Sequence, residues 1–301
     1  MTNKTQAWLH AFRLRTLPLA LSSIIMASML AASVHSFSWS ITILATLTTL
    51  LLQILSNLSN DYGDAESGID NEERVGPVRA MQSGSISAGE MKQMMIVFAA
   101  LALISGLLLV YRGTQHLEMG YGLIFIMLGV AAITAAIKYT VGKNPYGYRG
   151  LGDFYVFVFF GIIGTLGTYF LHTNTLPFSI LFPAFSVGLL SVGVLNVNNM
   201  RDIINDENSG KRTIVVMLGS CVAKIYHLLL LGVAILSALI YVAINFSSFY
   251  NFLFLLAFVP IAFHGRRVWA NNEPALLDPE LKILALCTLL FSVLFGLGFI
   301  L

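Results

Sequence analysis

Long apolar runs alternate with short polar connections along the whole chain. A helix needs about 20 residues to cross the hydrocarbon of a bilayer. Runs near that length occur nine times, near residues 17–35, 40–57, 93–111, 119–138, 152–171, 176–198, 223–244, 249–265 and 281–301. The alternating pattern of about ten residues that is typical of membrane β-barrels is missing from the sequence. The chain is therefore predicted to be an all-α polytopic membrane protein, one domain over residues 1–301 with nine transmembrane helices.

The composition supports this class and excludes others. Apolar residues make up 57% of the 301 residues and charged residues only 11%, whereas a soluble domain has about 25% charged residues. The lipid bilayer is therefore the expected partner. A net charge of +2 is too small to indicate nucleic-acid binding. The two cysteines, Cys221 and Cys287, are far apart and indicate neither a disulfide framework nor a zinc site.

The basic residues predict the orientation in the membrane. Only Arg112, of the 17 Lys and Arg, falls in a connection on the side opposite to the N-terminus. By the positive-inside rule, the N-terminus is expected in the cytoplasm and, after nine spans, the C-terminus outside. The other sixteen are Lys4, Arg13, Arg15, Arg74, Arg79, Lys92, Lys138, Lys143, Arg149, Arg201, Lys211, Arg212, Lys224, Arg266, Arg267 and Lys282.

Two acidic helix ends repeat one spacing, near residues 57–70 and 198–213. The first carries Asn57, Asn60, Asp61 and Asp64, and the second carries Asn198, Asp202 and Asp206. In each repeat an Asn precedes an Asp by four positions, so the side chains share a helix face. We expect the two halves of the protein to face each other, each with one acidic helix end.

These side chains have the chemistry of a cation site beside a polyanion. Carboxylate and amide oxygens suit Mg²⁺, which shares its coordination shell with water and substrate phosphates. Acids alone could form a cation pathway, but interleaved bases indicate a metal-bound polyanion, most simply a pyrophosphate. The alternative is that the charges are solvated helix ends, which the matched repeat disfavours. The nearby bases are Arg79, Lys143, Arg149, Arg201, Lys211 and Arg212.

Several strings carry a family resemblance. "NDYGD" and "RDIINDENSGKRT" resemble the two aspartate-rich motifs of the UbiA superfamily of intramembrane prenyltransferases, which follow helices 2 and 6 of a nine-helix bundle. Tyr139-Thr-Val-Gly-Lys143 fits its YxxxK motif. "RVGPVRAMQSGSIS" and "YTVGKNPYGYRGLGDFYVFVFFG" are similar to the branch that prenylates 1,4-dihydroxy-2-naphthoate. The third acid of the first motif would fall at Gly68, so metal roles for Asp70 and Glu66 stay open.

The resemblance implies substrates and residue roles. The substrates would be a polyprenyl diphosphate and 1,4-dihydroxy-2-naphthoate. The reaction would release pyrophosphate and CO₂ and give a menaquinone precursor in the bacterial inner membrane. Arg15 or its neighbour Arg13 would either bind the acceptor carboxylate or only anchor the first helix at the interface. The implied Mg²⁺ ligands are Asn60, Asp61, Asp64, Asp202 and Asp206. The implied catalytic residues are Asp64, Asp206, Lys143 and Tyr139, and the substrate-binding residues are Arg79, Lys143, Arg149, Arg201, Lys211 and Arg15.

Three alternatives stay open at this point. A cation-coupled transporter would place acids in the middle of its helices, whereas here the acids lie at helix ends. A CDP-alcohol phosphotransferase would carry a DGxxAR-type motif, which this sequence lacks. A 4-hydroxybenzoate prenyltransferase of the same superfamily is harder to distinguish, because it would use the same two acidic motifs.

Overall fold

The structure is a computed structural model that describes residues 4–70 and 75–301. In these two ranges nine helical spans are long and apolar enough to cross a membrane, which confirms the predicted all-α architecture. Arg74, one of the basic residues used above, lies outside the described residues. Spans 1 to 9 are Lys4–Ser33, Trp39–Glu66, Ala88–Thr114, Met119–Lys138, Gly152–Thr173, Phe178–Arg201, Ser220–Asn245, Phe249–Ala270 and Pro274–Ile300.

Span 1 is interrupted at its two arginines, Arg13 and Arg15. A helix over Lys4–Phe12 ends at Arg13, whose backbone is left-handed with φ 49°. A single turn over Leu14–Thr16 follows, and a second helix begins with a proline in its first turn, where the missing N–H costs nothing. The break directs the arginine side chains toward the ends of the neighbouring spans.

Span 2 is longer than its apolar run. Hydrophobicity alone predicts an end near residue 57, but the helix continues to Glu66. Its last turns stay helical because neighbouring elements bury their polar side chains: Asn57, Asp61 and Asp64 are all buried. The first acidic motif is therefore helical throughout and lies against the rest of the bundle.

Spans 5 and 6 approach each other closely through glycine. A β-carbon on Gly161 would lie 2.6 Å from the Cα atom of Gly188, so glycine allows backbone to meet backbone there. Span 5 is π-helical over Phe157–Gly167. Wider turns of this kind often occur at functional sites, and Phe159, Phe160 and Ile163 on this segment line an internal cavity.

The main buried core lies beside that cavity. It joins span 1 and spans 5 to 9, and its fully buried side chains include Met26, Leu190, Phe254, Phe291 and Phe295. Spans 3 and 4 instead expose many large apolar side chains, which is the pattern of a lipid-facing surface. The core therefore stabilises one side of the molecule, and the cavity lies between it and the spans that face lipid.

Candidate active site

A cavity of about 410 Å³ runs between spans 1 to 6 and span 9. Its mouth carries charged and amide side chains from the break in span 1 and from the ends of spans 2 and 6 with the connections that follow them, and its depth is apolar. Such a shape fits a ligand with a charged head and a hydrocarbon tail. The mouth includes Arg13, Arg15, Asn60, Asp64, Arg79, Asp202, Asn205, Asp206 and Lys211. The depth includes Leu19, Ile24, Leu107, Phe125, Leu128 and Phe160.

The first half-site is formed by the last turns of span 2. Asn60 and Asp64, four residues apart, line the cavity together, and the Asn60 amide donates to Asp64 Oδ2 at 3.1 Å. Asp61 points away from this wall. It is buried and pairs with Arg13, whose guanidinium also donates to Asn60 Oδ1 at 2.7 Å. The single turn from Asn60 to Asp64 thus presents one carboxylate to the cavity and one to an arginine.

Arg79 is the main basic residue of this half-site. It lies in the connection after span 2, nearly buried, with NH1 2.8 Å from Asp64 Oδ2 and 3.3 Å from Asp61 Oδ1. Its Nε atom is 3.2 Å from Asp70 Oδ1. Burial alone would lower the pKa of the guanidinium, but the three carboxylates outweigh that effect and raise it. Arg79 therefore stays charged and holds the acids in place.

The second half-site is built on a helix break. Span 6 ends at Arg201, and a short helix over Ile203–Asn208 follows. The Asp206 amide still donates to the Asp202 carbonyl at 2.8 Å, so the two acids keep their four-residue relation. Arg201 holds Asp202 with two parallel bonds, Nε to Oδ1 at 2.9 Å and NH2 to Oδ2 at 2.6 Å.

The carboxylates of Asp206 and Asp202 differ in their hydrogen-bond and ion-pair partners. Lys211 Nζ lies 3.2 Å from its Oδ1 atom, while Oδ2 is buried and accepts no hydrogen bond from the described part of the chain. Burial, reinforced by Asp202 and Asp64 and opposed by Lys211, raises the pKa of Asp206 to about 6. For Lys211, burial lowers the pKa, but Asp206 and Asp64 outweigh this and raise it. Asp206 thus offers one open oxygen.

Tyrosines from the connection between spans 4 and 5 and from the start of span 5 complete the site. Tyr139, Tyr146 and Tyr155 line the cavity as a continuous aromatic wall, with ring centroids 5.4 Å and 3.9 Å apart. Burial raises the pKa of Tyr139 to about 12, so its hydroxyl is neutral at physiological pH. Tyr148 donates a 2.6 Å hydrogen bond to Asp64 Oδ1. Tyr148 was not among the residues predicted from the sequence, although "YGYRG" begins three residues after the lysine of the YxxxK motif.

The two half-sites meet each other in the folded chain. The Asn205 amide, on the short helix after span 6, donates to the Ile69 carbonyl just beyond span 2 at 3.1 Å. The sequence profile of the UbiA prenyltransferase family matches residues 20–286. The chain belongs to this family. Its two UbiA motifs, predicted from their spacing to face each other, are in contact.

Individual UbiA-type proteins agree with the family assignment. A Haemophilus influenzae protein named 1,4-dihydroxy-2-naphthoate octaprenyltransferase is 43% identical over 300 residues, covering 99% of this chain and 97% of that protein. An apo structure of a UbiA homolog from Aeropyrum pernix K1 has a TM-score of 0.69 at 16% identity, covering 96% of each chain. A UbiA homolog from Archaeoglobus fulgidus bound to GPP and Mg²⁺ has a TM-score of 0.59 at 14% identity, with 95% and 99% covered. These structures show that the fold is of the UbiA type.

The structure brings most of the predicted site residues of this UbiA-family chain to the cavity wall, but not all of them. Arg201 is buried off the wall, between Asp202 and Asp278. Lys143 and Arg149 are exposed and do not line the cavity. The predicted residues on the wall are Arg15, Asn60, Asp64, Arg79, Tyr139, Asp202, Asp206 and Lys211. Of the predicted metal ligands, only Asp61 is off the wall.

A local turn explains why Lys143, predicted to act in catalysis and binding, lies outside the cavity. Thr140 points inward, and its hydroxyl donates to the Ser59 carbonyl at 2.7 Å. Gly142 then turns the chain with φ 114°, a conformation that favours glycine, and the next two residues face solvent. The YxxxK spacing therefore places the tyrosine in the cavity and the lysine outside it.

The donors at the cavity mouth fit a hard divalent cation. In residues 4–70 and 75–301, no group of three or more His, Cys, Asp or Glu could hold a metal alone. Mg²⁺ does not need such a group, because it commonly takes one or two carboxylates and completes its shell with water and phosphate oxygens. The open, buried Oδ2 atom of Asp206 is suited to this role. Asn60 Oδ1 and Asp64 lie on the same wall.

Proposed function

We propose that this chain transfers a polyprenyl group from polyprenyl diphosphate to 1,4-dihydroxy-2-naphthoate, with release of pyrophosphate and CO₂. The product would be demethylmenaquinol, which oxidises to demethylmenaquinone. The observation that carries this proposal is the 43% identity, over nearly the full length of both chains, to the Haemophilus influenzae protein of that name. A cavity with an ionic mouth and an apolar depth supports it, because the donor substrate has both parts.

Mg²⁺ is the cation we assign to the mouth, on the chemistry of its donors. Asp64 and Asp206 would hold it, with the amide oxygen of Asn60 and the carboxylate of Asp202 beside them. When bound, it would neutralise charge on the leaving pyrophosphate. Asp61 contributes indirectly, since it holds Arg13 and Arg79 at the mouth.

The basic side chains would bind the diphosphate and stabilise the transition state. Arg79 and Lys211 both line the mouth, one from each half-site. As the allylic C–O bond breaks, the pyrophosphate takes the electron pair, and these cations interact more strongly with the growing negative charge. Tyr139 and Tyr155 line the adjacent wall, where their ring faces would shield the allylic cation from water.

The naphthoate ring would then supply the nucleophilic carbon. A new C–C bond forms at the carbon that bears the carboxylate, and loss of CO₂ returns the bonding pair to the ring and restores its aromaticity. Arg15 would hold the acceptor carboxylate before the reaction. It lines the cavity, and its NH1 atom is 3.5 Å from Asp278 Oδ2, a contact loose enough to yield to a substrate acid.

The experiment that tests the function supplies two acceptors side by side. Membranes with the chain receive a polyprenyl diphosphate, Mg²⁺, and either carboxyl-labelled 1,4-dihydroxy-2-naphthoate or 4-hydroxybenzoate. We expect an unlabelled prenylated naphthalene product and labelled CO₂. Retention of the label in the product, or consumption of the benzoate alone, would replace this proposal with a 4-hydroxybenzoate prenyltransferase.

The chain is a multi-pass membrane protein. We propose the bacterial inner membrane as its location, with the acidic half-sites and the N-terminus in the cytoplasm, on the 16-to-1 distribution of basic residues. A reporter that is active only outside the cytoplasm, fused after Leu301, should be active. Activity of a cytoplasm-only reporter at the same position would contradict the orientation.

A further inference from the structure

Tyr148 contacts both acidic half-sites at once. Its hydroxyl donates to Asp64 Oδ1 at 2.6 Å, and Lys211 Nζ lies over its ring, 5.8 Å from the centroid. A phenol–carboxylate bond of this length is a strong one, and an ammonium at this distance interacts with the ring face. One side chain therefore links a carboxylate of the first half-site to a cation of the second.

The backbone of Tyr148 is fixed from both sides. The preceding Gly147 donates to the Tyr139 carbonyl at 2.9 Å, and the Arg212 amide donates to the Tyr148 carbonyl at 3.0 Å. A β-carbon on Gly147 would lie 2.6 Å from the Tyr139 carbonyl oxygen, so glycine is needed for this approach. The turn over Tyr146–Arg149 is thus anchored to the end of span 4 and to the connection after span 6.

The two oxygens of Asp64 have different partners. Oδ2 faces Arg79 NH1 at 2.8 Å and the Asn60 amide at 3.1 Å. Arg79 is one cation shared by Asp61, Asp64 and Asp70, and the Tyr148 phenol is a neutral donor. The phenol therefore orients the Asp64 carboxylate without compensating its charge.

We propose that Tyr148 is a positioning residue that orients Asp64 and Lys211 toward one bound cation–diphosphate. This inference rests on the proposed function, which identifies the ligand as Mg²⁺ with a polyprenyl diphosphate. Tyr148 acts from behind Asp64, because it does not itself line the cavity.

The test uses Mn²⁺ as a probe on the purified full chain in lipid nanodiscs. Tyr148→Phe removes the hydroxyl and keeps the ring. We expect its Mn²⁺ affinity, measured from the spin-resonance signal of free Mn²⁺, to fall about tenfold, as for other partners of metal-ligating carboxylates. Tyr226→Phe is the matched control. It removes a 2.9 Å tyrosine–carboxylate bond to Asp153, an acid off the cavity wall, and should leave Mn²⁺ affinity unchanged.

A second variant separates the effect of the Tyr148 hydroxyl from that of its ring. Tyr148→Leu loses both contacts, so it should lose Mn²⁺ affinity like the Phe variant. It should also raise the KM for polyprenyl diphosphate by roughly two- to fivefold, because Lys211 loses its aromatic neighbour. The Phe variant should keep the wild-type KM. This split between metal affinity and KM would not arise from a general loss of folding.

Two results would overturn the inference: wild-type Mn²⁺ affinity in Tyr148→Phe, or an equal loss in Tyr226→Phe. Failure of the proposed function is a separate result. It would appear as a wild-type chain that forms no prenylated naphthalene. The Mn²⁺ comparison between the two Phe variants would still decide the role of Tyr148 in the cation site.

Discussion

The two acidic half-sites have the same spacing but different partners. In the first, Asp61 and Asp64 lie on one continuous helix and share Arg79, which comes from a connection 15 residues beyond Asp64. In the second, the helix stops, and Asp202 is held by Arg201 next to it in sequence. The Oδ2 atom of Asp206 is buried and accepts no hydrogen bond from the described residues.

The difference shows what an acidic repeat determines and what it leaves open. The spacing brings Asp64 and Asp206 to one cavity, because both follow an Asn by four to eight residues on a helical face. The partners decide which acid can bind a cation. Asp202 shares both oxygens with a guanidinium, whereas Asp206 is opposed by a single lysine. We therefore expect the basic partners of the two halves to respond differently to mutation.

Arg79→Gln should have the largest effect on stability. It leaves the buried Asp61 and Asp64 and the nearby Asp70 without their shared cation, and breaking a buried ion pair costs about 3–5 kcal/mol. The free energy of unfolding in mild detergent measures this loss. Arg149→Gln is the control, because Arg149 is exposed and off the cavity. Equal stability of the two variants would mean that Arg79 does not organise the first half-site.

Asp64→Asn and Asp206→Asn should each lower turnover on the order of 10²–10³-fold, the usual cost of losing a preorganised electrostatic group. Each removes a hard anionic donor from the cavity mouth. The rate of prenylated product formation measures the effect. Glu66→Gln and Glu207→Gln are matched controls, because each changes an exposed acid close in sequence to the target. A similar loss in either control would show that net charge alone matters.

Lys211→Ala and Lys143→Ala compare a buried lysine with an exposed one. Removing Lys211 should raise the KM for polyprenyl diphosphate and lower turnover by about tenfold or more, because it loses a cation on the cavity wall. Removing Lys143, exposed and off the wall, should change neither value. Steady-state kinetics with varied diphosphate measure both. A larger loss for Lys143 would restore the role that its YxxxK motif first indicated.

Asp206 should also make cation binding sensitive to pH. This effect should be smaller than those of the substitutions above. Its pKa of about 6 in the folded protein lies above its ordinary value of 3.8. The proton it gains therefore stabilises the cation-free protein at low pH, and this contribution is lost as the pH rises through about 6. The same proton competes with the metal, so Mg²⁺-induced thermal stabilisation should weaken below pH 6. A variant with Asp206→Asn should show a flatter profile, and an identical profile would exclude Asp206 as the titrating group.

The sequence predicts the fold more fully than the site. Nine apolar runs predict the nine spans of the described residues. Inside lipid, each run must form its backbone hydrogen bonds within the protein, and a helix of this length does so. The second apolar run ends near residue 57, but the helix continues to Glu66. Hydrophobicity does not register polar residues that neighbouring elements bury.

Within the site, the helix face of Asn60 and Asp64 was predictable from periodicity, whereas partners across the fold were not. The contact of Tyr148 with Asp64 depends on the path of a connection fixed by Gly147 and by the Arg212 amide, 64 residues further along the chain. Lys143 fits its motif, yet the turn at Gly142 exposes it. Tertiary contacts of this kind have no periodic signal in the sequence.

The measurement that tests the central claim most directly is a double-mutant cycle on Asp64→Asn and Asp206→Asn. The claim is that both half-sites form one cation–diphosphate site. Residues that act as a unit are not additive, so the double variant should turn over about as slowly as the slower single variant. Single and double variants are compared for prenylated product and released pyrophosphate under one set of conditions. Losses that multiply, or pyrophosphate release that persists in the double variant, would contradict a single joint site.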